Sequence, residues 1–335
     1  MKIDIAKAGE AEVQNYHDFL TSKMVIAKKT GIDIDPGEIS PVLKSHQRDA
    51  VLWAAAGGRR AIFAAFGLGK TIMQLEWCRL IHAKKGGKML IVCPLGVKQE
   101  FMRDAETLLY IDAPVYVRNM EEVEAAPGWL MITNYERVRD GDIRPDAFAG
   151  TSLDEAAVLR SFGSKTYQTF LNKFRGVPYK LVSTATPSPN KYKELIHYAG
   201  YLEIMDTGQA LTRFFKRDST KANNLTLYPH KEKEFWLWLS TWALFIQKPS
   251  NLGYDDTGYD LPELEVRYHK LGRPPELTEE KNGQIKIFHD AAQGLKEAAR
   301  EKRKSIETRM AKAKEIVDAA PEDHFIIWHD LEDER

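Results

Sequence analysis

Between residue 45 and about residue 205, short apolar runs alternate with longer segments whose apolar positions recur every three or four residues. The runs at 61–66, 89–93, 115–117, 129–133, 148–153 and 179–184 have the length and composition of strands. The segments at 70–84, 97–109 and 165–174 have helical spacing. This alternation predicts an α/β fold, a three-layer domain with a mostly parallel sheet and helices on both faces. Ligands in such sheets collect outside the carboxyl ends of the strands.

The pattern changes after residue 205. Residues 206–262 read as helical and aromatic-rich, with Phe235, Trp236, Trp238 and Trp242 as core and a turn-rich stretch at 249–262. A charged helical pattern runs from 278 to 319, with eight Lys or Arg against three Asp or Glu between 296 and 314, which reads first as a solvated face and alternatively as the lining of a phosphate track. Phe325-Ile326-Ile327-Trp328 reads as a strand, and a lone strand has nothing to bury it. The expected organisation is a helical segment at 1–40 with a helix around 12–28, the α/β domain at 41–205, a helical insertion and linker helix at 206–319, and the first strand of an incomplete second domain at 320–335.

Composition narrows the classes. Lys plus Arg equals Asp plus Glu at 48 each, so any nucleic-acid binding must use a local basic groove. Cys78 and Cys93 have no metal-ligand spacing, which argues against a zinc site or a disulfide framework and fits a reducing cytoplasm. No stretch is apolar for long enough to predict a membrane span.

The chemistry starts at Ala64-Ala65-Phe66-Gly67-Leu68-Gly69-Lys70-Thr71, between a strand and a helix start. Gly67 and Gly69 let the backbone around Leu68 curl so that N–H groups face phosphate oxygens, and the helix start adds its positive end. Lys70 suits the β- and γ-phosphates and the Thr71 hydroxyl suits Mg²⁺, so the loop predicts an ATP site. Downstream, Asp154-Glu155 is an acidic pair, with Asp154 placed to hold the Mg²⁺ through water and Glu155 to deprotonate an attacking water. Gln47 carries an amide that matches the adenine edge. In Ser183-Thr184-Ala185-Thr186-Pro187, the hydroxyls of Ser183, Thr184 and Thr186 stand where they can sense a γ-phosphate.

Taken together, these residues resemble superfamily 2 helicases and translocases, in the Swi/Snf-like DEAD/DEAH-box branch found in phage and prokaryotic genomes. The resemblance runs through an adenine motif at 43–51, the phosphate loop, motif Ia at 90–95, motif Ib at 132–136, motif II at 153–157 and motif III at 183–187, and continues to about residue 331. It implies a RecA-like first lobe, ATP and Mg²⁺ as cofactors, and movement along double-stranded DNA. Pro94 and Asn134 are then backbone contacts to one DNA strand, and Lys98 and Arg103, just beyond motif Ia, read either as phosphate contacts or as surface charges.

Three departures stand out. Ala64 replaces the first glycine of the strict phosphate-loop pattern. Ala157 stands where the DEAH form has histidine, so its contact to motif III must be replaced or lost. Motifs V and VI are not found, including the arginine finger of a second lobe, a group worth roughly 10³–10⁵ in rate. The expected function is the ATP-binding half of an ATP-dependent DNA helicase or translocase, completed by a separately encoded C-terminal RecA-like lobe and working in the cytoplasm, the host's if phage-encoded. The alternative is a nucleotide-dependent DNA-binding module without motor activity. A nucleotide kinase or AAA+ subunit fits less well, because the adenine motif precedes the loop.

Overall fold

The computed structural model describes residues 26–160, 163–188, 191–217, 225–271, 278–279, 285–286, 302–303 and 305–329. Chain contacts divide the molecule into two units, Met1–Asp260 and Leu261–Arg335.

The first unit is built on strands β1 (Arg59–Ala64), β2 (Met89–Cys93), β3 (Val115–Tyr116), β4 (Leu130–Asn134), β5 (Gly150–Leu153) and β6 (Tyr179–Ser183). A short antiparallel pair, β7 (Phe215–Arg217) with β8 (Leu225–Leu227), precedes β9 (Ala243–Ile246). Seven strands form one sheet in the order β3-β4-β2-β5-β6-β1-β9, with every neighbouring pair parallel. Parallel neighbours need crossovers, and the intervening helices supply them.

Side chains alternate between the two faces. Ile62, Ala64, Met89, Ile91, Cys93 and Ile132 pack on one side with α1 (Ser45–Gly57), α2 (Lys70–Lys85) and α3 (Lys98–Thr107). Ala61, Phe63, Leu90, Val92 and Met131 pack on the other. That second layer holds α4 (Met120–Ala125), α5 (Tyr135–Asp140), α6 (Lys165–Lys173), α7 (Lys193–Tyr201), α8 (Thr207–Phe214) and α9 (Glu232–Ser240). Strands buried on both faces read as continuous apolar runs, which is why β2 is Met-Leu-Ile-Val-Cys.

The sheet is larger than expected. Its seventh strand, β9, pairs with β1 from within the segment read as a helical insertion, so the α/β domain does not close at residue 205. The stretch 236–246 is apolar apart from Ser240 and Thr241, which sit between α9 and β9, and periodicity alone does not identify the second half as a strand. The aromatics of this region are core as expected for Phe235, Trp238 and Trp242, while Trp236 is 37% exposed.

In the second unit, a helix forms at α10 (Ile306–Asp318), within the expected 278–319 helical pattern. Its charges are partly internal, Lys312 to Glu315 and Lys314 to Asp318. The front of the pattern is different: β10 (Thr278–Glu279) pairs antiparallel with β11 (Ile285–Lys286). The sequence between them carries Asn282-Gly283, a strong hairpin signal that a charge-based helical reading passes over. Phe325-Ile326-Ile327-Trp328 joins no ladder among the described residues and is exposed, Trp328 at 91%. Most of the helix expected at 12–28 lies outside the described residues, and 26–28 have no regular structure.

Candidate functional site

Each chemical motif lies at the carboxyl edge of the sheet. β1 ends at Ala64 and the chain turns through the loop into α2. Gly67 and Gly69 have φ of 81° and 78°, which an L side chain resists. A Cβ at Gly69 would also lie 2.4 Å from Gln47 Nε2, whereas Gly67 faces open space. Leu68 between them is buried. Lys70 Nζ donates to the carbonyls of Ala64 and Ala65 at 3.2 and 3.3 Å, spanning the loop it would serve. Burial pushes the Lys70 ammonium down, and Asp154 and Glu155 pull it back up. Thr71 follows at the first turn of α2, half-buried.

Gln47 supports the loop directly. Its Nε2 donates to the Leu68 carbonyl at 3.0 Å and its Oε1 accepts from Lys44 N–H at 2.9 Å. One amide hydrogen therefore holds the loop and one oxygen lone pair caps α1, leaving one of each for a base edge. The 248–260 stretch returns to this end of α1. Tyr254 donates to Asp49 at 2.5 Å, and Tyr259 lies edge-on to His46 with Lys44 over its ring.

The acidic pair follows β5, between β2 and β6 in the sheet. Glu155 has φ of 47°, so the backbone turns sharply between the two carboxylates. They have different partners. Asp154 Oδ1 accepts from Gln74 Nε2 at 2.8 Å, on α2. Glu155 Oε1 accepts from Thr184 Oγ1 at 3.1 Å and Thr186 Oγ1 at 3.5 Å, beyond β6. Burial raises the Asp154 carboxyl above its ordinary range and Glu155 adds to this, against the Gln74 hydrogen bond and Lys70. A half-buried carboxylate beside a second carboxylate, with the Thr71 hydroxyl on the facing helix, is a donor set that suits a cation, and Mg²⁺ is held by few protein oxygens plus phosphate and water. Among the described residues no cluster of three or more His, Cys, Asp or Glu forms an all-protein metal cage.

The third motif divides. Thr184 and Thr186 reach Glu155, and Thr186 N–H caps back to Thr184 Oγ1 at 3.2 Å. Ser183 is buried in β6 opposite Ile62 and belongs to the ladder. Motifs II and III therefore touch through Glu155 rather than through the position held by Ala157.

The residues expected to meet nucleic acid also come together. Cys93 and Asn134 are in register across β2 and β4, so Pro94 follows beside Asn134. Lys98 Nζ sits 4.3 Å over the Tyr116 ring, and the Tyr116 hydroxyl donates to Asn134 Oδ1 at 3.3 Å. Asn134 Nδ2 is held by Glu136 at 2.6 Å. Arg103 is tied to Asp104 at 2.9 Å.

Three residues of the acidic site escaped the sequence reading. Gln74 sits one helical turn beyond Lys70 on the same face, and an amide in the run Met73-Gln74-Leu75 was the available signal. Ser152 Oγ donates to Gln74 Oε1 at 2.7 Å. Tyr135 donates its hydroxyl to the Asp154 carbonyl at 2.6 Å, a contact across the sheet that no local pattern announces.

No family model matches the chain, and no curated protein matches it. Solved structures do. The Sulfolobus solfataricus SWI2/SNF2 ATPase core in complex with dsDNA aligns at 17% identity and a TM-score of 0.55, over 67% of this chain and 48% of that one. The S. solfataricus SWI2/SNF2 ATPase core domain aligns at 16% identity and a TM-score of 0.50, over 66% and 47%. The chain thus spans about half the length of these structures. No described helix is long and apolar enough to cross a membrane. The seven-stranded parallel sheet with helices on both faces is an α/β RecA-like fold, the fold of these ATPase cores.

Proposed function

We propose that this chain is the ATP-binding half of an ATP-dependent motor of the DNA helicase or translocase type, completed by a second RecA-like lobe. The observation that carries the reading is the convergence of Lys70 and Thr71 on α2 with Asp154 and Glu155 after β5, with Thr184 and Thr186 on Glu155. The half-length match to ATPase cores, one of them described in complex with dsDNA, supports it.

In this reading Lys70 exchanges the Ala64 and Ala65 carbonyls for the β- and γ-phosphate oxygens, a gain because the new partners are charged. Gln47 fixes the loop and offers its remaining donor and acceptor to adenine. Thr71 and, through water, Asp154 would hold Mg²⁺, which when bound would offset the phosphate charge. Glu155 orients the attacking water and takes its proton as the water oxygen bonds to the γ-phosphorus and the bond to the β–γ bridging oxygen breaks. Thr184 and Thr186 link that carboxylate to the end of β6, so proton transfer alters their hydrogen bonds. Pro94, Lys98 and Asn134 lie on the same sheet edge and would carry the DNA backbone. The setting is the cytoplasm, that of a host if the chain is phage-encoded.

The test is binding of a fluorescent ATP analogue with Mg²⁺. The chain should bind saturably, and Lys70→Ala should weaken binding by about 2 kcal/mol, roughly 30-fold, the scale of a hydrogen bond to a charged group. Equal binding by both proteins would remove the reading. Robust DNA-stimulated turnover by the isolated chain would remove the need for a second lobe, and normal nucleotide and DNA binding without translocation in the presence of such a lobe would favour the motor-less module.

A further inference from the structure

α2 is buried all round between Ile72 and Cys78 and apolar at Met73, Leu75, Trp77 and Cys78, yet two polar side chains lie among them, Glu76, paired with Arg79, and Gln74, at 1% exposure. A buried amide costs free energy unless its groups are paired, and a leucine would fill such a position without that requirement. Both ends of Gln74 are paired. Nε2 donates to Asp154 Oδ1 at 2.8 Å and Oε1 accepts from Ser152 Oγ at 2.7 Å. The direction of this chain of bonds follows from its end. An ionised Asp154 can only accept, so the amide nitrogen must face it, the amide oxygen must face Ser152, and Ser152 must donate. Ser152 is fully buried on β5 two residues before Asp154, on the same side of the strand.

We propose that Gln74 is a positioning residue for the metal-holding carboxylate, with Ser152 setting the orientation of its amide. The inference rests on the ATP and Mg²⁺ reading above and assigns a role outside the motifs that produced it. Gln74 stands one turn from Lys70 and Thr71 on one rigid helix. The same element that carries the phosphate lysine and the metal hydroxyl therefore also grips the carboxylate from β5. The spacing between hydroxyl and carboxylate is fixed by a helix turn and an amide rather than by loop packing, which is how a supporting shell preorganises a metal ligand.

The test is Mn²⁺ as a paramagnetic substitute, titrated by electron paramagnetic resonance against the chain saturated with ATP analogue, with nucleotide affinity measured separately in EDTA. Gln74→Met keeps the volume and loses both bonds. It should weaken Mn²⁺ binding about tenfold while metal-free nucleotide affinity stays within about twofold. Ser152→Ala, which leaves Gln74 and Asp154 in place, should shift Mn²⁺ binding in the same direction by about threefold, and it decides the matter if Gln74→Met does not fold. A folded Gln74→Met with unchanged Mn²⁺ affinity, or one that loses metal-free nucleotide binding in equal measure, overturns the positioning role alone. Failure of the unmodified chain to bind Mn²⁺ with nucleotide overturns the parent reading as well.

Discussion

Thr184 Oγ1 donates to Glu155 Oε1 at 3.1 Å, joining the end of β6 to the residue after Asp154. Glu155 reaches this position from a left-handed backbone, φ 47°, an arrangement that costs about 1–3 kcal/mol in a non-glycine residue and persists where surrounding contacts hold it. The bond takes a lone pair of Oε1 and orients the carboxylate, so that Oε2 is the oxygen presented for the proposed general-base role. Thr184→Val should therefore change turnover more than affinity. We expect about a tenfold fall in kcat with KM within about twofold, and a smaller effect for Thr186→Val, whose contact is 3.5 Å. Single-turnover ATP hydrolysis beside equilibrium nucleotide binding separates the two, and a loss confined to KM would reject the assignment.

Gly69 is constrained twice, by φ of 78° and by Gln47 Nε2, which stands 2.4 Å from the place a Cβ would take, while Gly67 carries only the φ constraint. Gly69→Ala should cost about 2–3 kcal/mol and lower Tm by roughly 4–10 °C, with Gly67→Ala costing about 1 kcal/mol. Calorimetry checks the order of the two, and equal losses would mean that Gln47 moves aside freely.

Lys98 and Arg103 look alike in sequence and differ in structure. Lys98 stands over Tyr116 beside Asn134, whereas Arg103 is committed to Asp104. Lys98→Ala should weaken duplex DNA binding and lower the salt slope by about 1, and Arg103→Ala should change neither. Fluorescence anisotropy across a salt series measures both. Identical slopes for the unmodified chain and Lys98→Ala would take Lys98 out of the interface.

Lys180 gives a pH signature unconnected to the site. It is 1% exposed, bound to Glu203 at 3.0 Å and the Tyr201 carbonyl at 3.1 Å. Burial pushes its ammonium from 10.5 down to about 8 despite the Glu203 carboxylate. Between those values the unfolded chain holds the proton and the folded chain releases it. The unfolded state then binds more protons, so this group makes stability rise with pH through the window. Below it both states are charged and the penalty is complete. Relative to Lys180→Met, the unmodified chain should gain about 2 kcal/mol between about pH 7 and about pH 9.5. Denaturant unfolding of both proteins at the two pH values reads the difference, and a constant gap would show that Lys180 keeps its proton throughout.

The sequence by itself determined what is local. β2 was legible as Met89–Cys93 because a strand buried on both faces is an unbroken apolar run, and α2 because it starts at a glycine loop and keeps its spacing to Lys85. The turn at Gly67–Gly69 was legible because its backbone needs glycine at two positions only a residue apart, a requirement met within one turn of chain. β9 was not, since its apolar residues continue those of α9 and only pairing with β1 distinguishes them. The partners of the acidic pair were not legible either. They follow from β5 and β6 lying between β2 and β1, which brings α2 to Asp154 and the end of β6 to Glu155. Residue types can specify a backbone conformation because its steric limits act between neighbours. Gln74 and Thr184 acquired their contacts to the acidic pair from tertiary structure, because a hydrogen bond between residues distant in sequence exists only once the crossovers have placed their strands side by side.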